Sequence, residues 1–288
     1  LRRGATIGDN GENAERRTGA TMADTARWRT HDELPLTREN FEALCDNRLP
    51  CLRIRGFASA AECDALVAAM DAVGLHRTYN VPKLKQPPRY VGIAQFEFRK
   101  RTKDDYFAHV EEAWREHDLV IARAGWNPVE RMAGLIRALY PERTVTLARE
   151  PAYGRYYAGI IRDTSGGGTL HADVTMYSAS EYEIGKVTAQ ISWNLFATAT
   201  SGQGGLTTIH NRPYRVAPKP GRRVEIEGFD RSYVAGAETH VYAPGKGDVV
   251  VFNSHNPHEW TAVATGERRM GIGSYLGRLP DGNFVYWS

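Results

Sequence analysis

The stretch Gly166-Gly167-Gly168-Thr169-Leu170-His171-Ala172-Asp173-Val174 decides how this chain is read. Three consecutive glycines mark a turn, and Thr169 to Val174 after them predicts a β-strand. Side chains alternate across a strand with period two, so His171 and Asp173 share a face. A third donor of the same kind, His258, lies 87 positions later in Asn256-Pro257-His258-Glu259-Trp260. Two imidazoles and one carboxylate can hold a first-row divalent metal at three positions and leave the others open.

Outward from that stretch, the second half of the chain reads as short strands separated by Gly-rich turns. Arg155 to Ile161, Thr169 to Val174, Val187 to Thr198 and Gly205 to His210 are the first four. Thr239 to Tyr242, Asp248 to Phe252, His258 to Val263 and Arg269 to Leu276 complete eight. Eight strands at this spacing predict a jelly roll, a double-stranded β-helix of cupin-like form.

The first half is mainly helical. Thr37 begins a short helix, and Cys51 to Arg55 alternates as a strand. Ser59 caps a helix carrying Cys63, Leu66, Val67, Met70 and Val73 at helical spacing. Two more helices are predicted, Lys103 to about His117 and Pro128 to Tyr140. Between Tyr79 and Gln95, Pro82, Pro87 and Pro88 predict an irregular loop. The fold class is therefore α+β, with the N-terminal helices packed on the sheet.

Residues 1–30 lack apolar periodicity and are expected to be a disordered or extraneous leader, with Met22 as an alternative start. Residues 31–288 are expected to form one domain, helical over about 31–142 and β over about 143–288.

Bulk properties exclude several function classes. The 288 residues are 42% hydrophobic and 25% charged, with net charge +3. No basic stripe with interleaved aromatics argues for nucleic acid. No apolar run approaches the roughly 18 residues of a membrane span. Cys45, Cys51 and Cys63 are an odd, sparse set, which favours reduced core thiols and a cytoplasmic location over a disulfide framework. The expected partner is a small-molecule substrate. Oligomeric state is not readable.

Four segments occur in order: Leu170-His171-Ala172-Asp173, Gly204-Gly205-Leu206, Pro244 to Phe252, and His258 to Arg269. Together they resemble the Fe(II)- and 2-oxoglutarate-dependent dioxygenase superfamily. Ile160-Ile161-Arg162 and Gln190-Ile191-Ser192-Trp193-Asn194-Leu195 are similar to one branch of it. That branch holds N-acyl amino acid hydroxylases and welwitindolinone-type, carrier-independent halogenases, enzymes of secondary metabolism.

The resemblance implies a site residue by residue. His171, Asp173 and His258 would ligate Fe(II), with His255, three positions earlier, as the fallback for His258. A basic residue would clamp the distal carboxylate of 2-oxoglutarate, since a guanidinium meets a carboxylate bidentately. Aligning Gly266-Glu267-Arg268 favours Arg268, whereas aligning Ile272 and Tyr275 favours Arg269. In that second register Gly271, Gly273 and Tyr275 share the face of Arg269, and small residues there would leave room for the cosubstrate.

Gln190, Ser192 and Asn194 share one strand face, which would line a wet lumen or meet solvent. Tyr156 or Tyr157 would hydrogen-bond the cosubstrate from a neighbouring strand, or simply pack, as an aromatic in a sheet more often does. Arg162 reads as a solvated strand-end residue, with an anionic substrate as the alternative partner. Tyr79, Asn80 and Phe96 would contribute to a lid.

The cofactors so implied are Fe(II), 2-oxoglutarate and O2. The implied reaction releases succinate and CO2 and hydroxylates an unactivated C–H bond of an amino acid, a derivative or a compact natural product. In the related halogenases a glycine replaces the carboxylate, so Asp173 favours hydroxylation. Desaturation, cyclisation and epimerisation use the same cofactors. A non-catalytic jelly-roll binding protein is the competing class.

Overall fold

Local capping builds the helical half of this computed structural model, which describes residues 26–79, 85–99, 101–215 and 229–288. The Thr37 hydroxyl accepts from the Asn40 N–H and starts helix Arg38–Cys45. Ser59 and Glu62 exchange hydrogen bonds as a capping box ahead of Ala60–Val73. Thr102 and Asp105 do the same for Lys103–Ala124, and Asn127 caps Pro128–Leu139. The third helix runs past the predicted end at His117 because its buried stripe continues through Val120 and Ala124.

The helices cover one face of a nine-stranded sheet. Its main path runs Leu52–Ile54, Val249–Asn253, Ala189–Phe196, Met270–Arg278, Ile160–Asp163, Arg89–Val91, Arg77–Thr78. Phe284–Trp287 pairs with the second half of Met270–Arg278 and runs parallel to Val145–Leu147. A four-stranded antiparallel sheet faces it, ordered Thr239–Tyr242, Thr207–His210, His258–Trp260, Gly168–His171. The result is the expected α+β fold with a double-stranded β-helix core.

Strand alternation divides the core in two. Ile191, Trp193, Leu195, Val249, Val251 and Ile272 bury against the helices. Phe196, Val250 and Phe252 face the other way and join Ile209 and Tyr242 of the smaller sheet, with Cys51 and Trp28. The sheet's second face is therefore interior, and Gln190, Ser192 and Asn194, which alternate with Ile191 and Trp193, share it.

Several boundaries differ from the sequence reading. The strand predicted over Arg155–Ile161 is split into Gly154–Arg155 and Ile160–Asp163. Gly159 sits between them at φ +88°, where a Cβ would come within 2.5 Å of Val129 Cγ2. The segment read as loop throughout holds strand Arg89–Val91 directly after Pro88. Proline lacks only its own N–H donor, and the Pro88 carbonyl still accepts from the Tyr79 N–H at 3.1 Å. Phe284–Trp287 was not anticipated at all.

Of the expected leader, residues 1–25 lie outside the described residues, whereas Trp28 within residues 26–30 is anchored to the fold. Trp28 is buried, and its N–H donates to Glu238 at 2.9 Å. Trp28→Ala is expected to lower the unfolding free energy by about 3 kcal/mol. Urea denaturation would measure this, and a loss below about 1 kcal/mol would show that the indole adds little to the core.

Candidate metal centre

The register of the smaller sheet brings the two histidines together. His258 opens its strand directly opposite His171, the last residue of Gly168–His171, with ring centroids 4.3 Å apart. Asp173 lies beyond the strand end, not on the strand as predicted. Its N–H donates to the Ser254 carbonyl at 2.9 Å, and Ser254 Oγ donates back to the Asp173 carbonyl at 2.9 Å. That brace returns the carboxylate to the face that simple alternation would have supplied.

Each imidazole is fixed through the same ring nitrogen. His171 Nδ1 lies 2.6 Å from the Thr169 carbonyl, and His258 Nδ1 lies 3.0 Å from that of Asn256. A carbonyl only accepts, so Nδ1 carries the hydrogen and Nε2 keeps a free lone pair. His258 Nε2 is 3.5 Å from Asp173 Oδ2, and one ligand atom from each of the three residues lies within 4.8 Å of the others. Burial, with His171 adding to it, pushes the His258 pKa well below its ordinary value and keeps the ring neutral. The donor set fits a divalent metal: two oriented neutral imidazoles and one carboxylate, with backbone carbonyls holding the rings.

His255 does not join this set. It is half-buried and absent from the convergent donors, its backbone N–H donates to Asn253 Oδ1, and burial pushes its pKa down to about 4.

The two neighbouring arginines have opposite fates. Arg268 points outward and makes a two-point ion pair with Asp71, at 2.6 and 2.8 Å. Arg269 turns inward between the sheets, where its guanidinium lies 4.9 Å from the Phe196 ring and 5.3 Å from Trp260. Its hydrogen bonds go to Thr164 Oγ1, Thr207 Oγ1 and the Gly205 carbonyl, all neutral acceptors. Burial lowers its pKa to about 10, so the charge persists at neutral pH. A buried guanidinium whose hydrogen bonds reach only neutral acceptors has the charge and donors to receive an anion. Thr164 and Thr207 were missed in the sequence; Thr207 directly follows the singled-out Gly204-Gly205-Leu206.

The polar strand face is interior, as one of its two readings had it. Gln190 Oε1 accepts from the Thr175 N–H at 2.8 Å, and its buried Nε2 has no partner among the described residues. Gln190 lines a small cavity with Asp173, Tyr275 and Phe96. Asn194 Oδ1 accepts from Arg162 Nη2 at 2.6 Å, and Asn194 Nδ2 reaches Ser192 Oγ at 3.3 Å.

Four expectations change. Tyr156 does not face the site: its hydroxyl donates to Glu150, beneath Tyr106 and Phe107 on the helical side. Tyr157 likewise donates to the Gly159 carbonyl at 2.8 Å. Arg162 is half-buried and bonded to Asn194 instead of being a solvated strand end. Gly273 leaves room for that contact and not for a free cosubstrate, since a Cβ there would lie 2.6 Å from Asn194 Oδ1 and 2.7 Å from Arg162 Nη2.

Of the lid residues, Phe96 lines the cavity and Tyr79 stacks on Tyr90 at 4.2 Å. Asn80 lies outside the described residues.

A second donor group, Glu33, Cys51 and His240, sits apart from this centre. Both Glu33 oxygens are committed to Arg53, and burial pushes the Cys51 thiol up to about 12. That is a core ion pair beside a protonated thiol, in keeping with cysteines read as core residues.

Comparison with known proteins decides the family. The profile described as Phytanoyl-CoA dioxygenase (PhyH) matches residues 51–271. The chain belongs to the phytanoyl-CoA dioxygenase family. It is a dioxygenase of the Fe(II)- and 2-oxoglutarate-dependent class.

This family member is 29% identical over 210 residues to "Leucinostatins biosynthesis cluster protein S" of Purpureocillium lilacinum, covering 71% of the chain and 85% of the relative. It is 25% identical over 265 residues to "L-gamma-glutamyl-L-propargylglycine hydroxylase" of Streptantibioticus cattleyicolor, covering 88% and 93%. A solved N-substituted L-amino acid dioxygenase from Burkholderia ambifaria, in complex with alpha-KG, shares the fold at TM-score 0.53 and 13% identity, covering 87% and 91%. Among the described residues no helix is long and apolar enough to cross a membrane.

Gly273→Ala is expected to force the Arg162–Asn194 pair apart and destabilise the fold by about 1–3 kcal/mol. A thermal melt reads this, and an unchanged midpoint would show that the strand absorbs the methyl group.

Proposed function

We propose that this phytanoyl-CoA dioxygenase family member hydroxylates an unactivated C–H bond of a small molecule and releases succinate and CO2. In this reading His171, Asp173 and His258 hold Fe(II), and Arg269 binds the distal carboxylate of 2-oxoglutarate. The observation that carries it is the pairing of two features: three convergent donors, and a buried guanidinium whose hydrogen bonds reach only neutral acceptors. When bound, Fe(II) with 2-oxoglutarate and O2 supplies the oxidising power.

The chain's own residues do the positioning. The Thr169 and Asn256 carbonyls fix the imidazole tautomers, and Ser254 sets the carboxylate. Thr164 and Thr207 aim the Arg269 fork. Phe196 and Trp260 flank that guanidinium and keep water from it, which strengthens its pull on an anion. Asp173 would supply a carboxylate ligand to the metal where the related halogenases have glycine, which favours hydroxylation over halogenation. The name of the Streptantibioticus relative, a hydroxylase, points the same way.

The test is succinate formation from 2-oxoglutarate with Fe(II), O2 and a panel of amino acids, their N-acyl derivatives and small natural products. Asp173→Ala should reduce succinate to background, and chelation of the metal should do the same. A wild-type protein that forms no succinate with any of them would sink the reading.

The arginine assignment has its own measurement. Arg269→Met should weaken 2-oxoglutarate binding by about a hundredfold, or about 3 kcal/mol, whereas Arg268→Met should leave it within about twofold. The reverse pattern would transfer the clamp to Arg268.

A further inference from the structure

Arg162 is a cation at the centre that the reaction so far leaves unused. It stands on strand Ile160–Asp163, opposite Gly271 on one side and Tyr90 on the other. Its side chain donates to the neutral Asn194 Oδ1 at 2.6 Å, and the neutral Tyr79 hydroxyl is its other hydrogen-bonding neighbour. The acids near it are engaged elsewhere. Asp163 takes the Ser165 N–H and faces Arg89 at 3.7 Å. Glu97 accepts from the Tyr90 hydroxyl at 2.6 Å.

Strand pairing places Arg162 on the interior face: it stands opposite Gly271, two residues from Arg269, and Thr164, two residues further along its own segment, accepts from Arg269. The charge of Arg162 acts on His258, Arg269, Tyr79 and Tyr275, and Asp173 acts on the same two tyrosines. The buried Tyr79 hydroxyl borders the Arg162 guanidinium and donates to no described group. The guanidinium and the hydroxyl it touches thus lie together, both able to donate to one oxyanion.

Charge balance says what that oxyanion belongs to. On the functional reading above, a divalent metal, Arg269 and Arg162 bring four positive charges into a partly buried site. Asp173 offsets one, and the two carboxylates of 2-oxoglutarate offset two more. One positive charge is left, and burying it unpaired is expensive. A singly charged group matches the remainder, whereas a phosphomonoester would overshoot it.

We propose that the substrate carries a carboxylate, which Arg162 and Tyr79 receive, so that its C–H bond is presented to the centre by that anchor. Arg162 is then a specificity-determining residue for carboxylic-acid substrates, and the inference rests on the proposed function.

The experiment uses the Fe(II)- and 2-oxoglutarate-loaded protein under anaerobic conditions. The probes are the N-acetyl derivatives of leucine, phenylalanine and glutamine, each as free acid and as primary amide, with dissociation constants from calorimetry. At least one acid should bind about tenfold or more tightly than its amide. Arg162→Met should erase that preference while the 2-oxoglutarate dissociation constant stays within about twofold. Arg162→Lys, which keeps the charge, should retain part of it.

Acids that bind no better than their amides, or that do not bind, would overturn the proposal. So would a tenfold loss of 2-oxoglutarate affinity in Arg162→Met, which would assign Arg162 to the cosubstrate. Wild-type protein that binds no 2-oxoglutarate would instead remove the functional reading beneath it.

Discussion

Everything at the centre depends on one cross-strand register, His258 opposite His171 in the smaller sheet. A slip of one residue would send one imidazole to the other face. The register is held on both flanks. His258–Trp260 pairs with Thr207–His210 on its other side, and the Trp260 indole N–H donates to the Thr164 carbonyl at 3.0 Å. Thr164 in turn holds Arg269 through its hydroxyl. The donors and the buried guanidinium are therefore parts of one hydrogen-bonded frame, and neither can shift alone.

The second organising principle is the division of labour between faces of the large sheet. The helices take the apolar face with Ile191, Trp193 and Leu195. The opposite face, freed from the helical core, carries Gln190, Ser192 and Asn194, whose partners are the Thr175 N–H, Arg162 and one another. A buried cation is tolerated there for the same reason: Phe196 and Trp260 offer ring faces, and the two threonines offer hydroxyls.

How much of this was legible follows from range. The three donors were readable because each sits in a local signature, a Gly-rich turn before a strand or a Pro-His pair at a strand start. Strand parity showed that only one of Arg268 and Arg269 could turn inward, without saying which. Tyr156 was not legible, because parity ranks the faces of a strand without saying which one the helices will cover, and Tyr156 falls where Gly159 breaks the strand.

Arg162 was misread as solvated because nothing near it in sequence reveals Asn194 across the sheet. Asp173 does converge with the two histidines, but from beyond the strand that was expected to carry it. The carboxylate is delivered by Ser254, eighty-one residues away, a contact that no local pattern encodes.

The distance between His171 and His258 along the chain also bears on how the protein folds. The donors cannot meet until an 87-residue loop has closed and the smaller sheet has zipped up against its neighbours, which makes the centre a product of non-local pairing. A metal ion held by these three donors would therefore find no complete nest in the unfolded chain. The polypeptide would reach native topology first, on the strength of its two apolar clusters, and metal capture would then act as a late lock on a structure already assembled.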